Sequence, residues 1–149
     1  MMNGYLLFVL AGRLFGVKLA GAVEILAWHR SRGVPLSYSY VEGLLDYRGT
    51  IYPVFNLQQR LGLQQHGPIG FIAQNAELAA KGKSIILIEE KSASFGITVD
   101  NVLRMITIDD ASIVPGLQQD IDPKYMTGVA AYEGQEIVIL DFERLLHAG

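Results

Sequence analysis

The sequence predicts an all-β chain built from a duplicated half-domain. Three observations carry that prediction: short segments rich in Val, Ile, Leu, Tyr and Phe, turn residues between them, and an internal repeat that brings the same segments back in the same order. The repeat is seen by placing Tyr5-Leu6-Leu7-Phe8 over Ile85-Ile86-Leu87-Ile88, which sets Phe15-Gly16-Val17 over Phe95-Gly96-Ile97 and Ile25 over Met105. At a slightly larger offset, Gly43-Leu44-Leu45-Asp46-Tyr47-Arg48-Gly49 lies over Gly128-Val129-Ala130-Ala131-Tyr132-Glu133-Gly134, with three of seven positions identical. Val54-Phe55-Asn56-Leu57 then falls on Ile139-Leu140-Asp141-Phe142, and the copies end in Leu61 and Leu146. Two copies of a long period indicate a duplicated unit and not a solenoid. Strands at this spacing suggest small barrels or a sandwich.

The elements follow in order along each copy. The first apolar run, Tyr5 to Ala11, is far shorter than the roughly 20 residues a bilayer span needs, so it reads as a buried strand. No charged segment precedes it, and Arg13 stands where a secretory leader would place a small residue, so it is not expected to be a signal peptide. Ala11-Gly12-Arg13, Arg48-Gly49, Lys91-Ser92-Ala93-Ser94 and Glu133-Gly134 supply the turns. Pro53 lies inside an apolar run, where its missing N–H is expected to need an edge or a bulge. Asn56 and Asp141 are N-cap residues, so a helix of one or two turns should follow each, and Gly62 should stop the first in a left-handed conformation. The expected plan is one domain over 1–149, with approximate halves 1–62 and 84–149. The linker 63–83 contains His66-Gly67-Pro68 and an expected helical turn at Ala76 to Ala80.

Composition narrows the function. At 149 residues the chain is long enough to bury a real core without staples. It has no cysteine, which excludes disulfides, thiol chemistry and Cys-based zinc sites. A formal charge of −3, from 12 basic and 15 acidic residues, offers no basic surplus for nucleic acid. Gly82-Lys83-Ser84 looks like the end of a phosphate loop, but Glu77 stands where the first glycine must be and a strand should follow. His29, His66 and His147 lack metal or nucleophile spacing. Asp109-Asp110, Asp120 and Asp122 lack the glycine and terminal glutamate of a calcium loop and read as solvated loop charges. No catalytic residue, cofactor or metal is expected. The residues that a structural account leaves over are Arg48, whose counterpart in the second copy is Glu133, and Glu24, a lone carboxylate beside Val23, Ile25 and Leu26. Arginine combines a fixed donor fork with a stackable face, so Arg48 is either a solvated turn residue or a recognition residue. Glu24 either faces water or pairs with it.

The chain resembles the CheW adaptors of bacterial chemosensory signalling from Tyr5 to Leu146. The resemblance is carried by Phe15-Gly16-Val17, Val23-Glu24-Ile25, Gly43 with Arg48-Gly49, Pro53-Val54 leading to Asn56-Leu57, Phe95-Gly96-Ile97 with Asp100 and Val102, and Thr127-Gly128-Val129-Ala130. It departs from the family's usual pattern in three places: Asp46-Tyr47 where Asn-Leu usually precedes the arginine, Trp28 and His29 within 27–40, and a long linker after Gly62. The resemblance implies two five-stranded SH3-like β-barrel subdomains around a shared apolar seam, with short helices. It implies a non-enzymatic, cytoplasmic adaptor, recruited to membrane-associated receptor arrays without inserting into the membrane. Its partners would be the regulatory domain of a CheA-type histidine kinase and the cytoplasmic tip of methyl-accepting chemoreceptors. Glu24, Gly43, Arg48 and Gly49 would lie at or near the receptor-binding surface, with kinase binding elsewhere and apolar strand residues exposed near barrel rims. The alternative function is a generic SH3-like module for peptides or a small ligand outside any kinase pathway.

Overall fold

The structure, a computed structural model, describes residues 1–35, 37–63, 82–91, 93–116 and 121–147; most of the linker, with the turn expected at Ala76 to Ala80, lies outside the described residues. The first copy forms β1 (Met2–Leu10), β2 (Arg13–Lys18), β3 (Ala22–Ala27), β4 (Val41–Tyr47), β5 (Thr50–Asn56) and helix α1 (Leu57–Leu61). The second forms β6 (Ser84–Glu90), β7 (Ala93–Val99), β8 (Asn101–Asp109), β9 (Met126–Tyr132), β10 (Gln135–Leu140) and helix α2 (Phe142–His147). Strand for strand, each copy therefore repeats the other.

Four tight turns join the hairpins, and their chemistry is shared. Ala11, Arg48, Lys91 and Glu133 all have φ between 49° and 56°, and glycines with φ of 75° to 83° follow three of them. Two successive positive φ values define the hairpin turn whose twist matches that of the flanking strands. Both helices are capped as expected. The Asn56 side chain accepts from the Gln59 N–H at 3.0 Å, and Asp141 accepts from the Arg144 N–H at 3.1 Å. Gly62, at φ 68°, closes α1 by donating to the Gln59 carbonyl.

The pairing of strands interleaves the two copies. Two five-stranded sheets form, but neither belongs to one copy: the first has the order β8-β1-β2-β10-β9 and the second β3-β6-β7-β5-β4. Exchanging each strand for its counterpart converts one order into the other, so the duplication is interleaved. The halves 1–62 and 84–149 are copies in sequence and do not each fold into a sheet. The junctions are equivalent in register, with β10 parallel to β2 placing Ile139 against Gly16, and β5 parallel to β7 placing Val54 against Gly96.

Alternation along the strands then assigns the core. On β1, Leu6, Phe8 and Leu10 face a seam shared by both sheets, while Tyr5, Leu7 and Val9 fill the first sheet's own interior. On β6, Ile86 and Ile88 face the seam, and Ile85 and Leu87 fill the second sheet's interior. Phe15 and Phe95 are both fully buried at equivalent places, as the repeat predicts, and stack on Phe8 and Phe55 respectively.

Pro53 is neither on an edge strand nor at a bulge, because β5 runs between β4 and β7. Its partner across β4 is Leu44, whose backbone N–H and carbonyl are both spent on Arg32 on the other side. That pair therefore exchanges no hydrogen bonds, and the proline nitrogen faces β7, where pairing starts only at Val54. An interior position costs nothing there.

Candidate functional site

The second sheet ends in β3 on one side and β4 on the other, and the exposed candidate residues gather where these two edges approach. A bulge at Val23 sets Glu24 opposite Leu87 on β6. Such a bulge bends the strand and re-aims the side chains that follow. After β3 the chain turns back over β4. Trp28 Nε1 donates to Glu42 at 3.0 Å, and Arg32 and Leu44 exchange both backbone hydrogen bonds, at 3.1 and 2.7 Å. The β4 edge is thereby covered.

Gly43 is buried beneath this crossing. A Cβ there would lie 2.2 Å from the Arg32 carbonyl oxygen, so only glycine admits the close approach. It shapes the site without offering a surface. The second copy repeats the device at Gly128, where a Cβ would lie 2.5 Å from the Val114 carbonyl oxygen and Val114 bridges Val129.

Arg48 and Gly49 form the exposed tip of the β4–β5 hairpin, and Asp46 accepts the Gly49 N–H at 3.2 Å to close it. Arg48 extends over the ring of Tyr47, its guanidinium carbon 5.2 Å from the centroid. The Tyr47 hydroxyl donates to Glu24 Oε2 at 2.9 Å, and the other carboxylate oxygen accepts the Ile25 N–H at 3.1 Å. Glu24 is thus joined to Arg48 through Tyr47 and not by a direct ion pair among the described residues. The carboxyl is held below its ordinary range by the tyrosine hydroxyl first, the Ile25 N–H second, and more weakly by the positive field of Arg48. The same hydrogen bond pushes the Tyr47 phenol up.

Sequence reasoning named Glu24, Gly43, Arg48 and Gly49 and missed Tyr47, the residue that joins Glu24 to Arg48. A signal existed, since Tyr47 and Tyr132 are identical in the aligned copies. Val23 and Ile25, which flank Glu24 on β3, and Ile51, opposite Asp46 on β5, are 42–46% exposed. The counterpart surface on the first sheet has opposite polarity. Arg104, in the place of Glu24, lies 5.9 Å over the Tyr132 ring, and Glu133 replaces Arg48. Met105 beside it is 67% exposed.

Of the acidic pair at the end of β8, Asp109 remains largely exposed and Asp110 is not the solvated charge expected of it. Asp110 accepts from the Tyr5 hydroxyl at 2.8 Å and from the Asn3 amide, and Asp109 accepts the Ala111 N–H and the N-terminal ammonium, both at 3.1 Å. Asp110 is thereby a tie between β1 and the segment after β8. Asp122 caps a short turn through the Lys124 N–H at 3.0 Å. His29 is exposed on the crossing segment; His66 and Asp120 lie outside the described residues.

Against known proteins, residues 4–149 match the family model described as a CheW-like domain. A chemotaxis protein CheW of Thermotoga maritima is 33% identical over 113 residues, covering 76% of this chain and 67% of that one. One of Treponema pallidum is 26% identical over 140 residues, covering 93% and 78%. The crystal structure of the scaffolding protein TtCheW from Thermoanaerobacter tengcongensis superposes with a TM-score of 0.81 at 27% identity, covering 97% of this chain and 88% of that one. Among the described residues no helix is long and apolar enough to cross a membrane.

Proposed function

The chain belongs to the CheW family, and from that premise we propose that it is a non-enzymatic cytoplasmic adaptor that couples chemoreceptors to a CheA-type histidine kinase. The receptor tip docks on the face formed by Glu24, Arg48 and Gly49, with Gly43 holding the crossing chain beneath it. One observation carries the assignment of that face: an exposed arginine, fixed at a hairpin tip and laid on an aromatic ring whose hydroxyl holds Glu24, projects beside strands β3 and β5, which expose Val23, Ile25 and Ile51. An arginine anchor with apolar neighbours is the composition of a protein-binding hot spot. The aromatic shelf occupies the guanidinium's face and leaves its edge donors for a carboxylate or carbonyls of the partner. The kinase regulatory domain binds elsewhere on the molecule, and recruitment to the receptor array follows from the two contacts together.

The test is a binding assay of Arg48→Ala and Arg48→Lys against a receptor cytoplasmic fragment and a kinase regulatory domain, with a thermal melt of each variant. Arg48→Ala is expected to weaken receptor binding about tenfold or more, the loss typical of a hot-spot truncation. Lysine should rescue it poorly if the planar fork is used. Stability should stay within about 0.5 kcal/mol of the parent, because alanine meets the same left-handed turn cost as arginine. Normal receptor binding by Arg48→Ala removes the site assignment. Failure of the unmodified chain to bind any CheA-type kinase favours a generic peptide-binding module.

A further inference from the structure

We propose that Tyr47 is the positioning residue of this face: its hydroxyl fixes Glu24 and its ring fixes Arg48, so that the two charges meet a partner as one preset unit. The inference rests on the docking face assigned above and names what organises it. Tyr47 ends β4 and packs, half-buried, against the interior cluster of Leu45, Tyr52, Val54, Ile85 and Leu87. Its ring orientation is therefore set from below by the core and not by the charges above it.

From that fixed ring the two attachments diverge. The hydroxyl reaches across the gap between the sheet's two edges to Glu24 Oε2 at 2.9 Å, while the ring face carries the Arg48 guanidinium at 5.2 Å. Glu24 is held at both oxygens, the second by the Ile25 N–H, so the carboxylate cannot swing to Arg48 without giving up both bonds. Arg48 in turn has its backbone fixed at φ 51°. Two long charged side chains normally lose rotamer freedom on binding. Here much of that freedom is already gone.

The duplicate supports the reading from within the molecule. Tyr132 stands at the equivalent place and again carries a guanidinium, but that of Arg104, which comes from the strand position of Glu24 instead of the turn position of Arg48. The ring serves as a shelf in both copies whichever neighbour supplies the cation. The hydroxyl contact to a carboxylate belongs to the first copy, where Glu24 is present.

The two functions of the tyrosine can be separated. Tyr47→Phe keeps the shelf and removes the hydroxyl, whereas Tyr47→Leu removes both. The experiment measures receptor-fragment and kinase-domain affinity for the parent, Tyr47→Phe, Tyr47→Leu, Glu24→Gln, the Tyr47→Phe/Glu24→Gln double variant, Arg48→Ala and Tyr132→Phe. The Arg48 side-chain Nε–H resonance is followed by NMR in the first three. Tyr47→Phe and Glu24→Gln should each weaken receptor binding several-fold, and the double variant should be no weaker than the weaker single, because both act on one link, the first by removing its donor and the second by removing the acceptor's charge. Tyr47→Leu should approach Arg48→Ala. The ring-current displacement of the Arg48 resonance should persist in Tyr47→Phe and vanish in Tyr47→Leu. Kinase-domain binding should be unchanged throughout, and Tyr132→Phe should bind receptor as the parent does. If Arg48→Ala binds receptor normally, the docking face itself is wrong and the inference falls with it. If Arg48→Ala is weakened but Tyr47→Phe is not, or if the Tyr47→Phe and Glu24→Gln losses multiply, the face stands and the positioning role alone is refuted. Should Tyr47→Leu fail to fold, Tyr47→Phe and the double variant still decide the question.

Discussion

Gly43 and Gly49 are both glycines of the candidate face, yet each is required for a different physical reason. At Gly43 the obstacle is space, since an added Cβ would meet the Arg32 carbonyl oxygen at 2.2 Å and its carbon at 2.7 Å. At Gly49 nothing lies within 4 Å, and the obstacle is the backbone, at φ 83°. Gly43→Ala should therefore destabilise the protein by about 1–3 kcal/mol, as overpacking does, and displace the crossing segment. Gly49→Ala should cost about 1–2 kcal/mol and leave that segment in place. Urea unfolding of both, with amide shifts of residues 28–34, separates the two mechanisms; equal displacement by both would contradict the assignment. Much of this face was legible at the level of single residues. Glu24 and Arg48 stood out as residues a structural account leaves over, Gly43 and Gly49 entered through the family resemblance, and the structure places all four where the second sheet's two opposite edge strands, β3 and β4, approach. Tyr47 was passed over because it was read as a departure from a pattern, and Asp110 was read as solvated because its partners Tyr5 and Asn3 are distant in sequence. A hydrogen bond between residues a hundred positions apart leaves no local trace.

Elements were the most readable level, because hairpin turns, caps and strand alternation are set by neighbours in the chain. Four turns with matched positive φ and two capped helices stand where turn and cap residues predicted them. Pro53 was misjudged for the opposite reason: whether a strand needs an N–H at one position depends on the pairing of its neighbours, here on Leu44 bonding to Arg32. How elements are tied together has a measurable consequence at β1. Tyr5 is buried on that strand, and its hydroxyl donates to Asp110 just beyond β8. Burial first, and then the hydrogen bond and charge of Asp110, push its phenol up to about 12 from an ordinary value of 10. Because the folded value is the higher one, this contribution is complete below pH 10 and is lost as pH rises from about 10 to 12. Each unit corresponds to about 1.4 kcal/mol, so the alkaline loss traceable to Tyr5 should be on the order of 2–3 kcal/mol. Denaturant unfolding at pH 9 and pH 11.5 should show a drop in the parent that is clearly smaller in Tyr5→Phe. An equal drop in both would mean that other groups govern alkaline stability.

At the scale of the whole molecule, the repeat was visible in the sequence and the exchange of strands was not. Either arrangement, one sheet per copy or strands traded between copies, gives each strand the same pattern of buried positions. The choice between them is made by long-range pairing: β2 runs beside β10, β5 beside β7, and β1 beside β8. Interleaving has a consequence that a side-by-side pair of barrels would lack. The first sheet takes its two central N-terminal strands from one copy and its other three from the second, and the second sheet does the reverse. Neither copy alone holds a complete sheet. The seam cannot form from one copy either, since it joins Leu6, Phe8, Phe15 and Val17 to Ile86, Ile88, Phe95 and Ile97. Fragments 1–63 and 82–149 should therefore each lack a cooperative unfolding transition and a near-ultraviolet circular dichroism signal, because an isolated fragment keeps its hairpins but leaves their apolar faces uncovered. Mixing the two should restore both signals, at a rate that rises with concentration, as a bimolecular assembly requires. The intact chain should unfold in one transition, with both sheets lost together. A fragment that melted cooperatively on its own would show that one copy can close upon itself, and the exchange of strands would then be an alternative packing of the duplication instead of its condition for folding.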